Sequence, residues 1–153
     1  MSGDQGDPLA RIAAALERLV PGAVAEPDWS AHPAYVWDGA AARAVPRIVA
    51  PPLDQLRGID AQKAAVTTNI ARLAAGRAAH DMLLWGARGM GKSALLRASV
   101  AAQDPQAIAL VQVGSEVLTT LAPLFARLGD APRRFLVFLD DLGFEEGDGA
   151  GPR

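Results

Sequence analysis

The sequence contains no cysteine and very little histidine or lysine. The lack of cysteine and the spacing of the histidines each exclude a class of site. Without cysteine the chain can form no disulfide, no thiolate metal site and no cysteine nucleophile. Its two histidines, His32 and His80, lie far apart and lack the spacing of metal ligands. Lysine occurs only at Lys63 and Lys92, although lysine and arginine together number 15. The chain therefore uses arginine for nearly all its positive charge.

Long apolar runs and stretches of one charge are also missing. No apolar run approaches the ~20 residues that span a bilayer, so we expect no membrane partner. Asp4 and Asp7 precede any apolar stretch, which argues against a secretory signal and favours a cytoplasmic location. The net charge is -2 and no basic stripe occurs, so a nucleic-acid partner is not evident. With 153 residues, 50% of them hydrophobic, the chain is expected to form one globular domain.

One segment of the sequence fits a phosphate-binding loop. Residues 86–93 match the pattern G-x-x-x-x-G-K-[ST], in which glycines let successive backbone N–H groups turn towards a phosphate. In such a loop the lysine reaches the β- and γ-phosphates and the serine hydroxyl ligates Mg²⁺. The sequence therefore predicts ATP and Mg²⁺ as cofactors. The predicted nucleotide-binding residues are Gly86, Ala87, Arg88, Gly89, Met90, Gly91, Lys92 and Ser93, with Ser93 also a metal ligand.

The sequence on either side of this loop supports the prediction. Met82 to Trp85 form a short apolar run, which is typical of a buried strand. The loop is followed by alanines, leucines and a valine suited to a helix packed on a sheet. Strand, loop and helix thus occur in the order that the motif requires. Chance alone gives the pattern in roughly one chain in a few hundred of this length, and Lys92 is one of only two lysines.

A second signal lies downstream, where five apolar residues, 135–139, are followed by Asp140 and Asp141. A strand that is apolar throughout is typical of the buried centre of a parallel sheet. Ligands of open α/β folds bind at the carboxyl ends of such strands. We predict a Walker B strand in which Asp140 holds Mg²⁺ and Asp141 is the catalytic base that polarises water. The alternative is an ordinary strand ending in a solvated aspartate pair, and the preceding Arg133 and Arg134 are expected to be solvated.

The remaining elements complete an alternation of strands and helices. Helices are predicted over 7–20, within 53–75 with Gly76 at its end, and around 121–128 with Thr119 or Thr120 as its cap; another strand is predicted over 107–113. This alternation predicts an α/β three-layer sandwich with a parallel sheet. We divide the chain into an N-terminal helix and extended arm (1–55), a nucleotide-binding core (56–146) and a flexible glycine-rich tail (147–153).

The predicted arm carries Trp29, Tyr35 and Trp37 close together among prolines. An extended, proline-rich segment with aromatic side chains packs either on its own domain or on another molecule. The first alternative makes the aromatics part of the domain's surface packing. The second gives them a role in stacking on a peptide or a nucleic-acid base.

Several motifs together resemble one protein family. They are residues 56–63, Asn69, Gly76, residues 83–93 and residues 140–145. The chain resembles a bacterial family of AAA+-type P-loop ATP-binding proteins of uncharacterised role, related to the replication initiator DnaA and to transposition helper ATPases. The resemblance covers roughly residues 29–147 and implies that Gly58 and Ile59 lie near the adenine. Met90 and Ala94 depart from the usual threonine and serine of the family.

The resemblance implies an AAA+ ATPase whose core is incomplete, since the polar sensor, the arginine finger and a further central strand are not recognisable after Asp141. Two alternatives remain open: a nucleotide-binding module or relic without useful hydrolysis, and, more weakly, a P-loop kinase. Such a core is expected to hydrolyse ATP poorly and to self-associate through open sheet edges, so a homo-oligomer is an open alternative. The sequence identifies no partner protein.

Overall fold

The computed structural model of the chain describes residues 26–87 and 89–140. These residues contain four strands, three α-helices and two short 3₁₀ helices, at Leu53–Gln55 and Ser115–Thr120. The strands are β1 (Ala34–Trp37), β2 (Ala42–Val45), β3 (Ile108–Gly114) and β4 (Arg134–Asp140), and the helices are α1 (Asp60–Ala74), α2 (Lys92–Ala101) and α3 (Leu121–Gly129). Among the residues described, no helix is both long and apolar enough to cross a membrane. The predicted helix over 7–20 and the tail over 147–153 lie outside the described residues.

The four strands form one mixed sheet in the order β2-β1-β3-β4. β1, β3 and β4 run parallel, with Ala34 opposite Leu110 and Ile108 opposite Arg134. β2 pairs antiparallel with β1 through a tight hairpin. The chain is therefore α/β as predicted, but the sheet is mixed rather than parallel throughout.

β3 lies at the centre of the packing and separates two apolar clusters. Its side chains alternate between the two faces, because successive residues of a strand point to opposite sides. Ile108 and Leu110 join a cluster with Val66 and Ile70 of α1 and with Leu95 and Leu96 of α2. On the other face lie Ala109, Val111, Val113, Tyr35, Trp37, Leu124 and Leu128. Because burying one such aliphatic side chain stabilises by about 1.5–3 kcal/mol, the buried aliphatic side chains of β3 fix the sheet between its helical layers.

The segment predicted as an extended arm instead contributes β1 and β2 to the sheet. Trp37 is 2% exposed, and its Nε1 donates a hydrogen bond to Thr120 Oγ1 at 2.8 Å. Tyr35 is fully buried in the same cluster. Asp38 Oδ1 accepts from the backbone N–H groups of Ala40 and Ala41 in the hairpin turn. These N–H groups, chiefly that of Ala41, hold the pKa of the Asp38 carboxyl below its ordinary value. Tyr35 and Trp37 therefore belong to the core, so a stacking role for them was wrong.

The helix boundaries follow local backbone chemistry. The αL residue Gly76 follows the C-cap of helix α1 and donates its N–H to the carbonyl of Leu73, while Arg77 donates its N–H to the carbonyl of Arg72. This pair of bonds is the Schellman motif, which confirms the predicted glycine stop. Thr120 precedes α3 as predicted, but its hydroxyl bonds Trp37 and the Val117 carbonyl rather than the helix N–H groups.

Arg133 corrects the expectation that both arginines before β4 are solvated. It is 7% exposed, whereas Arg134 is exposed. Its guanidinium donates hydrogen bonds to the carbonyls of Pro105 and His32 and to the Tyr35 hydroxyl. It lies over the rings of Tyr35 and Phe135 as well. A buried charge needs such partners, and here they join the starts of β1, β3 and β4.

Residues 82–85, predicted as a strand, have no regular secondary structure. Met82 and Leu84 are half-buried against the cluster of α1 and α2, while Leu83 and Trp85 are 70% and 88% exposed. A strand is defined by its hydrogen-bonded neighbour, and the four-stranded sheet does not include this segment. An apolar run alone does not supply that neighbour, so the prediction of a strand was wrong.

Candidate functional site

The loop that precedes α2 has the backbone conformations that its glycines allow. Gly86, Gly89 and Gly91 have φ angles of 139°, 82° and 81°. A residue with a Cβ rarely adopts such angles, so each of the three turns depends on glycine. Gly91 is also the N-cap of α2, and its carbonyl accepts the N–H of Leu95 at 2.8 Å. The backbone thus turns sharply at Gly91 into the first turn of α2.

The N-terminus of α2 is oriented by the helix's buried face. Leu95, Leu96 and Val100 pack into the core, so the helix axis and its first turn are fixed relative to the sheet. The first turn contains no acidic residue. The N–H groups and the positive end of the helix dipole therefore face the loop without a side-chain carboxylate from that turn, an arrangement that suits an anion.

Lys92 lies at the start of α2 and folds back over the loop. Its Nζ donates hydrogen bonds to the carbonyls of Gly86 at 2.7 Å and Ala87 at 2.9 Å. The ammonium group is thus held in the concave side of the loop by two neutral acceptors. A phosphate oxygen carries a negative charge that these carbonyls lack, so a phosphate placed there would attract the ammonium more strongly and compete well for this donor.

Ser93 and Asp140 meet, although 47 positions separate them in the sequence. Ser93 Oγ donates a hydrogen bond to Asp140 Oδ1 at 3.1 Å. Ser93 lies in the first turn of α2, and Asp140 is the last residue of β4. A hydroxyl and a carboxylate are the hard oxygen ligands that Mg²⁺ takes from proteins. The fold therefore brings the two predicted metal ligands together at the carboxyl end of the sheet.

Arg97 also reaches this carboxylate, and sequence reasoning missed it. Its Nη2 lies 3.5 Å from Asp140 Oδ2 and 3.4 Å from Oε1 of Gln112 on β3. The signal available in the sequence was its spacing: residues four apart lie on one helix face, so Arg97 follows Ser93 on the side facing Asp140. The contact between Arg97 and Asp140 of β4 joins residues far apart in the sequence, so no local sequence pattern indicates it.

A wide groove of about 1130 Å³ extends from the loop along the edge of β4 that faces away from β3. One wall is β4 and the other is the segment 82–86, with Leu121 and Phe125 of α3 also lining it. Large exposed apolar side chains gather along it, namely Leu83, Trp85, Met90 and Phe125. The glycine-rich loop therefore opens into an apolar groove that runs along a strand edge left unpaired within residues 26–87 and 89–140.

The backbone of β4 presents hydrogen-bonding groups to this groove. Arg134 donates its N–H to the carbonyl of Ala107, on the β3 side, at 3.0 Å. In a strand, the N–H and C=O groups of one residue point to the same side, and those of the next residue point to the opposite side. Phe135, Val137 and Leu139 therefore point their backbone groups into the groove.

Two predicted site residues lie outside the described part of the chain, and two others do not line the groove. Arg88 and the predicted base Asp141 lie outside the described residues. Gly58 and Ile59 precede α1 and do not line the groove; Ile59 packs half-buried against the cluster of α1 and α2. The roles of these four residues stay predictions.

The chain matches a protein-family model over residues 30–151, and that family is described as a protein of unknown function, DUF815. The chain belongs to this family. The DUF815 match takes in the β1–β2 hairpin, the loop of residues 86–93 and the end of β4 in one continuous unit. No curated protein and no solved structure matches the chain. The family description names no activity, so the site itself is the guide to what this DUF815 member does.

Proposed function

We propose that this chain binds a nucleoside triphosphate with Mg²⁺, in the manner of AAA+-type P-loop proteins. The observation that carries the proposal is the 3.1 Å contact between Ser93 Oγ and Asp140 Oδ1. A phosphate-loop serine that touches a carboxylate at the end of an apolar strand is the arrangement that holds Mg²⁺ in P-loop proteins. The contact is independent of the loop motif, because it joins residues far apart in the sequence.

Each group at the site has a role in this proposal. The loop N–H groups and the helix N-terminus surround the β-phosphate, and Lys92 contacts the β- and γ-phosphates. Ser93 and Asp140 hold Mg²⁺, with the remaining ligands supplied by phosphate oxygens and water. Asp141 is proposed as the base that orients the attacking water, and Gly58 and Ile59 as neighbours of the adenine. The last two roles rest on the resemblance to AAA+ proteins.

A second candidate is nucleotide binding without efficient hydrolysis. Of the described residues that line the groove, Asp81 and Asp140 are the carboxylates. Asp140 is engaged with Ser93 and Arg97, so it suits a metal ligand better than a base. The described part of the site therefore supplies binding groups more completely than it supplies hydrolytic ones. Nothing in that part favours transfer of a phosphoryl group to a small-molecule acceptor.

The lysine of the loop provides the test. Replacing Lys92 by alanine removes the charge that faces the phosphates, so ATP affinity measured by calorimetry with Mg²⁺ should fall several-fold to a hundredfold, about 1–3 kcal/mol. Arg43→Ala is the matched control, because Arg43 is an exposed cation on β2, at the opposite edge of the sheet. Equal ATP affinity in wild type and folded Lys92→Ala protein would rule the proposal out.

A further inference from the structure

Arg97 is a charged side chain beside the metal-ligand pair to which the proposed function gives no role. The two oxygens of the Asp140 carboxylate are divided between two residues of α2: Oδ1 accepts from Ser93 and Oδ2 lies beside Arg97. The two contacts come from one helix face, one turn apart. Together they fix both the position of the carboxylate and its rotation about the Cβ–Cγ bond.

Arg97 is itself held from a second strand. The Nη2 that approaches Asp140 also lies 3.4 Å from Gln112 Oε1 on β3, the strand beside β4. Gln112 is opposite Phe138 in the register, two residues before Asp140. The guanidinium therefore links α2 to the carboxyl ends of two adjacent strands.

We propose that Arg97 is a positioning residue for the Mg²⁺ site, an inference that rests on the proposed function. By holding Oδ2, Arg97 keeps Oδ1 directed at the Ser93 hydroxyl, so that the two metal ligands stand together before the metal arrives. Gln112 acts through Arg97, because its side-chain oxygen limits the positions that the Arg97 guanidinium can take. The side chains of Arg97 and Asp140 are about one-third exposed, 31% and 33%. Solvent therefore screens the repulsion between the guanidinium and a bound cation, and the positional effect dominates.

The measured quantity is the Mg²⁺ enhancement, defined as ATP affinity in Mg²⁺ divided by ATP affinity in EDTA. Arg97→Ala should lower it about twofold to fivefold, the range of a partly exposed ion pair, and leave affinity in EDTA unchanged. Gln112→Ala should lower it less. The double variant should match Arg97→Ala alone, because both residues act through one contact. A purely structural role would lower affinity in both buffers equally.

Controls separate this proposal from the function on which it rests. Wild-type protein that binds no ATP, or binds it without Mg²⁺ enhancement, overturns the proposed function and this inference together. If wild-type protein shows the Mg²⁺ enhancement and Arg97→Ala shows an equal or larger one, the inference alone is overturned. Arg97→Gln keeps a long polar side chain and tests the same point if the alanine variant unfolds; it should also lower the enhancement. Arg43→Ala, at the far edge of the sheet, should leave the ratio unchanged.

Discussion

At the scale of single residues, the adjacent carboxylates of Asp140 and Asp141 are expected to act differently. Asp140 touches Ser93, so Asp140→Asn should abolish most of the Mg²⁺ dependence of ATP binding. Asp141→Asn should leave binding nearly intact and remove any turnover, because a base acts on water rather than on the metal. Calorimetry with and without Mg²⁺, together with a phosphate-release assay, checks both. Equal effects on Mg²⁺-dependent binding would indicate an ordinary solvated pair.

A second prediction at this scale concerns the contribution of Arg133 to stability. Arg133→Met keeps much of the apolar stem but removes the guanidinium donor from the carbonyls of His32 and Pro105. The Tyr35 hydroxyl also loses this donor and keeps the N–H of His32. The free energy of unfolding should fall by about 2–3 kcal/mol, as for buried groups that lose a charged partner. Arg134→Met is the matched control: Arg134 is the exposed neighbour, and its loss should stay within about 0.5 kcal/mol. Urea unfolding followed by circular dichroism measures both, and equal losses would contradict a special role for Arg133.

These two arginines show why part of the molecule could not be predicted from the sequence. They are adjacent and chemically identical, and the contacts that bury one of them come from residues up to 101 positions away. The Arg97–Asp140 pair is hidden for the same reason. The loop was predictable because its glycines, lysine and serine are contiguous, and Ser93 and Asp140 because each motif carries its own pattern.

At the scale of elements, strands with a strong hydrophobic signal were predicted well. β3 and β4 lie within one residue of their predicted ranges, since long β-branched or aromatic runs leave few alternatives. β1 and β2 were missed because each has four residues, and alanines and prolines weaken the strand signal. For residues 82–85 the error was the reverse, because a strand was predicted there and none is present. Their apolar pattern is that of a strand, but the sheet in the described residues gives them no pairing partner.

β4 allows a test of which backbone groups face the groove. Val137 directs its N–H into the groove and Leu136 directs its own towards β3, as the Arg134–Ala107 bond implies. Proline removes the N–H at either position, so Leu136→Pro should break a ladder bond and destabilise the protein far more than Val137→Pro. Thermal unfolding of the two variants gives the comparison. Equal losses of stability would show that the edge of β4 is not free.

At the scale of the whole molecule, the outer edge of β4, which has no partner strand in the described part of the chain, predicts self-association. An unpaired strand with apolar side chains is a template for pairing with another chain, and Leu83, Trp85 and Phe125 add exposed apolar surface beside it. Wild-type protein should show concentration-dependent association in size-exclusion chromatography with light scattering. Val137→Pro should reduce it, because the proline blocks the central donor of the edge. Association that is unchanged in a folded Val137→Pro protein would place the contact elsewhere.

The exposure of Trp85 gives the loop an optical signal of its own. Of the three tryptophans, Trp37 is buried and Trp29 half-buried, whereas Trp85 is 88% exposed and adjoins Gly86. Its indole therefore emits at the red end of the protein's fluorescence and is the most accessible of the three to a collisional quencher such as acrylamide. Any rearrangement of residues 86–93 changes the surroundings of this one chromophore first. The chain thus carries an intrinsic fluorophore immediately before its glycine-rich loop.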